Sequence, residues 1–322
     1  MSATPSSVAA IDLERGSEVV RSKAAGSTEG VFGAGSTIWQ VDREALVFLG
    51  AGRALLLQLA HPWVSTAIAE HSTALSDPIG RFHRTFEIIF TLVFGSLEQA
   101  LATSRRLHRR HAAISGHLPE TLGPYAQGSP YAADDVPALM WVHATLVETA
   151  LAIHDLVLEP LGTEPRARYY ADCQLLGVLF GIPLDAQPAH WPAFARYFEA
   201  MVLSEELTVG AAAREIGTRV LAGAGRVPIP RWYRNVTAQL MPQRLRASFG
   251  LAFGEEERRS ALRALRLIRR LYPVLATRLR YVAPYHEALG RLCGRSRPNL
   301  MTRSLNRLWI GRGSMDEDTG TL

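Results

Sequence analysis

The chain has 322 residues, 48% of them hydrophobic, which is enough apolar matter for one large core. Its formal charge of +5 would suit a nucleic-acid binder, but Lys23 is the only lysine and the arginines are scattered through amphipathic segments. With no recognition motif present, a nucleic-acid partner is not expected.

The elements are predicted as follows. Residues 1–34 are rich in Ser, Ala, Gly and Glu without an apolar run, and read as a disordered lead rather than a secretory signal. Arg43 to Ala60 follows a helical period through Leu46, Leu49, Arg53, Leu56 and Leu57, and Pro62 marks a break. Val64 to His71 is a short helix. Ser76-Asp77-Pro78 is a start signal for the next helix, which carries Arg81, Arg84 and Thr85 and stops at Gly95. Leu97 to Ser115 follows, closed by Gly116, and Gly128 to Tyr131 is a loop. Asp134-Asp135-Val-Pro137 opens a long helix through Trp141 and His143 to about Leu158. Further helices are expected over Pro165–Phe180, Trp191–Val209, Val236–Leu240, Gln243–Phe249 and Glu255–Arg280. No alternating β-branched run, Asn-Gly hairpin signal or fixed-period repeat is present.

The expected fold is therefore all-α, a single large helical domain over 35–310 with a buried cofactor pocket between helices. Residues 311–322 are a short, Gly-rich, acidic and flexible tail. No apolar run reaches the ~18 residues of a membrane span, so a cytoplasmic protein is expected, with peripheral membrane contact left open. Cys173 and Cys293 lie far apart without Cys-x-x-Cys spacing, which argues for a reducing compartment and against a zinc ribbon.

The chemistry-bearing stretch is Arg81-Phe-His-Arg84-Thr85, followed by His108-Arg-Arg-His111. Offsets of three and four place Arg81, Arg84 and Thr85 on one helix face. The helix continues as an almost wholly apolar run to Phe94, and fork-shaped guanidiniums at its mouth are suited to propionates or a phosphate. On the next helix His111 shares a stripe with Leu97, Ala100, Leu101, Ser104 and Leu107, and Arg109 and Arg110 fall mainly elsewhere. Cations beside an apolar wall, facing an imidazole, suit a buried planar anion such as haem. His108, one turn back, competes with His111 as ligand.

His143 and His154 share a stripe on the long helix, but Glu148 and Asp155 do not form the Glu-x-x-His pairs of a di-iron bundle. Gly50-Ala-Gly52-Arg53 lacks the strand and third glycine of a phosphate loop, and its small residues are better read as allowing close helix packing. Ser65, Ser72 and Ser204 have no Gly-x-Ser-x-Gly context.

Five stretches, Gly52–Pro62, Asp77–Thr85, His108–Gly116, Trp141–Thr149 and Arg231–Leu251, occur in the order found in the oxygenases that include latex-clearing proteins and MpaB-type enzymes. The chain resembles that family over about residues 40–250. The resemblance implies an all-α oxygenase with haem b, acting with dioxygen on an apolar, isoprenoid- or lipid-like substrate, with oxidative alkene cleavage as one form of the reaction. Arg81, Arg84 and Thr85 match the family's Arg-x-x-Lys-Thr motif with arginine in place of lysine. His111 matches the proximal iron ligand. The spacing from Thr85 differs from that of the rubber enzymes, which leaves His108 open. His143 and His61 are secondary pocket candidates. The competing readings are a non-haem metal oxygenase using His61, His71 and His143, and a helical lipid- or haem-binding protein without turnover.

Overall fold

Apolar residues spaced by three and four along most of the chain are hidden best between helices, and the computed structural model is accordingly all-α, in one domain. It describes residues 6–8, 10–72, 77–223 and 228–316, and about 68% of it is helical. The first helices are α1 (Ala10–Lys23), α2 (Thr37–Asp42), α3 (Ala51–Leu59), α4 (Pro62–His71), α5 (Pro78–Phe94) and α6 (Leu97–Ala112). A hairpin of β1 (Ser115–His117) and β2 (Pro130–Ala132) separates them from α7 (Val136–Val157). Then come α8 (Thr163–Leu179), α9 (Trp191–Leu203), α10 (Ala211–Ala222), α11 (Arg231–Leu240) and α12 (Gln243–Ser248). The chain finishes with α13 (Glu255–Leu271), α14 (Thr277–Arg280), α15 (Ala283–Leu292) and α16 (Leu300–Ile310).

The centre of the molecule is α7, apolar on every face and packed by α2, α3, α8, α9 and α13. Its Trp141 is fully buried and donates its indole proton to the Leu57 carbonyl at 2.9 Å, tying α7 to α3. Among the described residues α7 alone is long and apolar enough to cross a membrane, and 61% of its most apolar window is buried within the protein. A bent pair, Ala45–Leu59 with Pro62–His71, meets the same test jointly but turns through 102°. Both features are what core helices of this composition produce.

The expected helix from Arg43 to Ala60 is divided. Ala45–Gly50 winds as a 3₁₀ turn before α3 begins. The break is held by distant tyrosines: the Leu46 amide donates to the Tyr272 hydroxyl, and Tyr233 accepts from the Gly52 amide and donates to the Phe48 carbonyl. Here α7 comes so close that a Cβ on Gly50 would overlap Thr149 and Ile153, as the small residues suggested.

The helix expected to reach Ser115 stops at Ala112, because Ser115–His117 pairs with Pro130–Ala132. Gly116 lies opposite Tyr131, whose ring would meet a Cβ at 2.7–2.9 Å. Gly116 thus serves the hairpin and not a helix end, and Tyr131 stands in a strand and not a loop. Glu255–Arg280 also breaks, at Tyr272-Pro273.

Both chain ends depart from expectation as well. Within the expected disordered lead, Ala10–Lys23 forms α1, which packs on α8 with Val20 fully buried; residues 1–5 and 9 lie outside the described residues. The first part of the expected flexible tail is fixed: buried Glu287 accepts from Ser314 Oγ at 2.6 Å and from the Met315 amide at 3.0 Å. Residues 317–322, and Ser76 of the start signal, lie outside the described residues.

The cavity-bearing helices start on well-defined caps. Asp77 accepts from the Gly80 amide at 2.9 Å with Pro78 in the first turn of α5, and Ser96 with Gln99 forms a capping box on α6. α5 is gripped from behind by α16: His83 lies 3.1 Å from the Leu308 carbonyl, and Arg312 reaches buried Glu87 at 3.4 Å.

Candidate cofactor cavity

Helices α4, α5, α6 and α7 wall a cavity of about 280 Å³, closed on further sides by Gln58, Ile114, Ala132, Ala133 and Phe180. Arg81, Arg84, Thr85, His111 and His143 all line it, although they come from three helices spread over more than sixty residues. The sequence named all five as pocket candidates, His143 in second rank; that His143 joins the other four is a result of α7 packing.

The mouth is cationic. Arg81 has no carboxylate partner among the described residues; it donates to the Ser72 hydroxyl. Burial, with Arg110 and Arg84 nearby, holds its pKa down at about 10, the expected response of a guanidinium crowded by its own kind. Arg84 pairs with the Asp77 carboxylate at 3.2 Å. Thr85 donates to the Arg81 carbonyl at 2.9 Å, fixing its rotamer along the helix. Arg110, which helical spacing had set apart from the His111 stripe, also lines the cavity. Helical position alone does not capture the reach of an arginine side chain.

The interior is apolar apart from imidazoles. Ile88, Ile89, Leu107, Leu139 and Leu146 face it. His111 lines the cavity, and its Nδ1 is buried without a hydrogen-bond partner. Burial, aided by the neighbouring His108 and Arg110, pushes its pKa down to about 4. His143 is 1% exposed, neither ring nitrogen makes a well-formed hydrogen bond, and the ring packs 5.8 Å from Phe180. Burial lowers its pKa to about 4 as well, against a weaker opposing pull from the backbone of Cys173. Both rings are therefore neutral at physiological pH, the form in which an imidazole nitrogen ligates a metal.

The other candidates fall elsewhere. His108, one turn back on α6, lines a separate pocket against α1 and packs so closely on Gly181 that a Cβ there would overlap its ring. His61 is buried outside the cavity, with Nε2 3.4 Å from the Tyr125 hydroxyl and its ring beside Trp63. His71 does line the cavity, but His61 does not join it and His143 there. Glu148 is paired with Arg53, and His154 with Asp155. Among the described residues no three His, Cys, Asp or Glu side chains are grouped to hold a metal ion.

Of the other lining residues, Arg110 was set apart by helical spacing, and His71 was assigned with His61 and His143 to the competing metal site. Ser72 and Phe180 join them by tertiary packing alone. His71 carried a signal, since it precedes Ser72 and the Arg81 helix, but its partner Tyr131 lies sixty residues on and in a strand that no pattern announced.

The depressed histidines make a pH prediction. An unfolded chain takes up a proton at His143 near the ordinary 6.5, whereas the folded site resists until about 4, so stability falls as pH drops through that window. His143→Leu removes this contribution. Between about pH 7 and pH 5 the variant is expected to lose about 2 kcal/mol less stability than the parent, measured by urea unfolding at both values. Equal losses in the two proteins would mean that His143 is not held neutral.

One family model matches the chain, over residues 38–271; its description is ER-bound oxygenase mpaB/B'/Rubber oxygenase, catalytic domain. No curated protein and no solved structure matches.

Proposed function

Because this chain belongs to the MpaB/rubber oxygenase catalytic-domain family, we propose that it is a haem b-dependent oxygenase acting with dioxygen on an apolar, isoprenoid- or lipid-like substrate. The observation that carries the reading is the pairing of His111, whose buried Nδ1 has no hydrogen-bond partner, with a cluster of guanidiniums on the wall of one apolar cavity. A planar dianion with an iron centre needs these two things together: a rigid neutral imidazole and cations for its acid groups.

The residues present fit that group. His111 would hold the iron of such a group, and Arg81, Arg84, Thr85 and Arg110 would hold its acid groups. Haem, when bound, supplies the binding and activation of dioxygen. The chain does the rest. Ile88, Ile89, Leu139, Leu146 and Phe180 exclude water and offer a surface that an apolar substrate can replace water on. His143 presents a second, uncharged imidazole without placing a charge in the dry interior. Arg81 is the most strained of the cations, and an anion beside it would relieve the repulsion from Arg84 and Arg110.

The test is an absorption spectrum of the freshly purified protein before and after dithionite, with a pyridine haemochrome assay. A Soret band that shifts on reduction, at near-stoichiometric haem, supports the reading; a colourless protein that also refuses added haemin ends it. Haem at full loading without dioxygen consumption on any apolar substrate would favour a binding protein over an enzyme.

A further inference from the structure

At the C-terminal end of α4 three side chains are hydrogen-bonded in line. The Tyr131 hydroxyl donates to Glu70 Oε2, and His71 Nε2 lies 3.1 Å from the same hydroxyl. Tyr131 is 1% exposed and enters from β2 over Gly116, whereas the Glu70 carboxylate is 44% exposed at the surface. His71 itself lies in the cavity wall.

The direction of each bond follows from donor chemistry. A carboxylate open to water accepts and does not donate, so the tyrosine proton points to Glu70. The phenol stays protonated, because burial and the adjacent Glu70 raise its pKa. Its oxygen can then only accept from the imidazole, which puts the His71 proton on Nε2 and leaves a lone pair on Nδ1. The tautomer of a cavity histidine is thus set by a buried tyrosine and an outer carboxylate.

We propose that His71, whose side chain is 35% exposed, is the proton-accepting residue of the cavity, and that Tyr131 and Glu70 are positioning residues that fix its tautomer and give its Nε2 proton a route to the carboxylate. A proton taken up at Nδ1 is balanced by passage of the Nε2 proton to the tyrosine oxygen and of the tyrosine proton to the carboxylate. One proton enters, one leaves, no electron moves and no bond between heavy atoms changes. The use of that proton, in oxygenation of a substrate held against α5 and α7, rests on the oxygenase reading; the relay does not. The charged and titratable groups facing His71 are Glu70 on α4, Tyr131 on β2, Arg81 and Arg84 on α5, Arg110 and His111 on α6, and His143 on α7. Glu70, 3.8 Å from His71 Nε2, is the one carboxylate among them.

The experiment is the pH dependence of carbethoxylation by diethyl pyrocarbonate, read for each histidine peptide by mass spectrometry in the full chain as purified. Exposed His117 and His190 serve as internal references. Glu70→Gln and Tyr131→Phe are each expected to lower the His71 midpoint by about half a pH unit or more, with the reference midpoints unmoved. Glu70→Asp should restore much of the shift. An unchanged His71 midpoint in both variants overturns the proposal. Should Tyr131→Phe fail to fold, Glu70→Gln, a surface change, decides alone. Haem content is assayed in the same preparations. A shift without haem sinks the haem reading and leaves the relay; haem without a shift does the reverse.

Discussion

His111→Ala is expected to yield a folded protein that holds no haem: the Soret band disappears and the pyridine haemochrome falls to background. The argument is one of position. His111 is the α6 imidazole that lines the cavity, and its Nδ1 is buried with nothing to bond. On the proposed reading, removing the ring would take away the nitrogen that holds the iron and leave an apolar hole. Added imidazole, which fits such a hole, should restore part of the band. His108→Ala is the matched control. That ring lines the neighbouring pocket against α1 and Gly181 and not this cavity, so haem content should stay at the parent level. Full haem loading with an unaltered spectrum in the His111 variant would remove it as ligand.

Arg53→Ala should produce the largest loss of stability among single substitutions away from the cavity, about 3–5 kcal/mol, read as a fall in urea midpoint. Arg53 interrupts an apolar helix, and the structure shows why it is tolerated. Its guanidinium pairs with Glu148, donates to Thr149 Oγ1 at 2.6 Å and to the Leu240 carbonyl at 2.9 Å, and lies 5.8 Å over the Phe198 ring. The side chain is 7% exposed, so truncation strands a mostly buried carboxylate and a carbonyl in a dry setting. Arg168→Ala is the contrast. It breaks an exposed pair with Glu164 one turn away on α8, and should change stability by less than about 0.5 kcal/mol. Similar effects for the two arginines would show that the network around Arg53 is not what joins α3 to α7.

What could be read in the sequence was the part governed by local physics. The start signal at Asp77, the stop at Gly95, the period of α5 and α7 and the all-α class follow from residues within a few turns of one another. The Arg81, Arg84 and Thr85 face was visible for the same reason. Hidden were the features set by distant partners. The 3₁₀ turn at Ala45–Gly50 depends on Tyr233 and Tyr272, nearly two hundred residues away or more. The β hairpin is three residues per strand and needs Gly116 under Tyr131. His108 and His111 stand three apart on one helix, and only the packing of α8 and α1 on one side and α5 on the other assigns them to different cavities.

The grip of α16 on α5 bears on the order in which the molecule can be made. The helix that carries the cavity's arginines is clamped from behind by Leu308 and Arg312, each 225 residues downstream of its contact. During synthesis that clamp is absent until residues 308–312 have left the ribosome, so α5 waits for this neighbour. Long-separation contacts of this kind slow folding because the loop must close before the contact rewards it. Assembly of the cavity therefore waits on a segment 225 residues downstream of α5's own contacts, and any group that needs α5 in place enters only after that segment has docked.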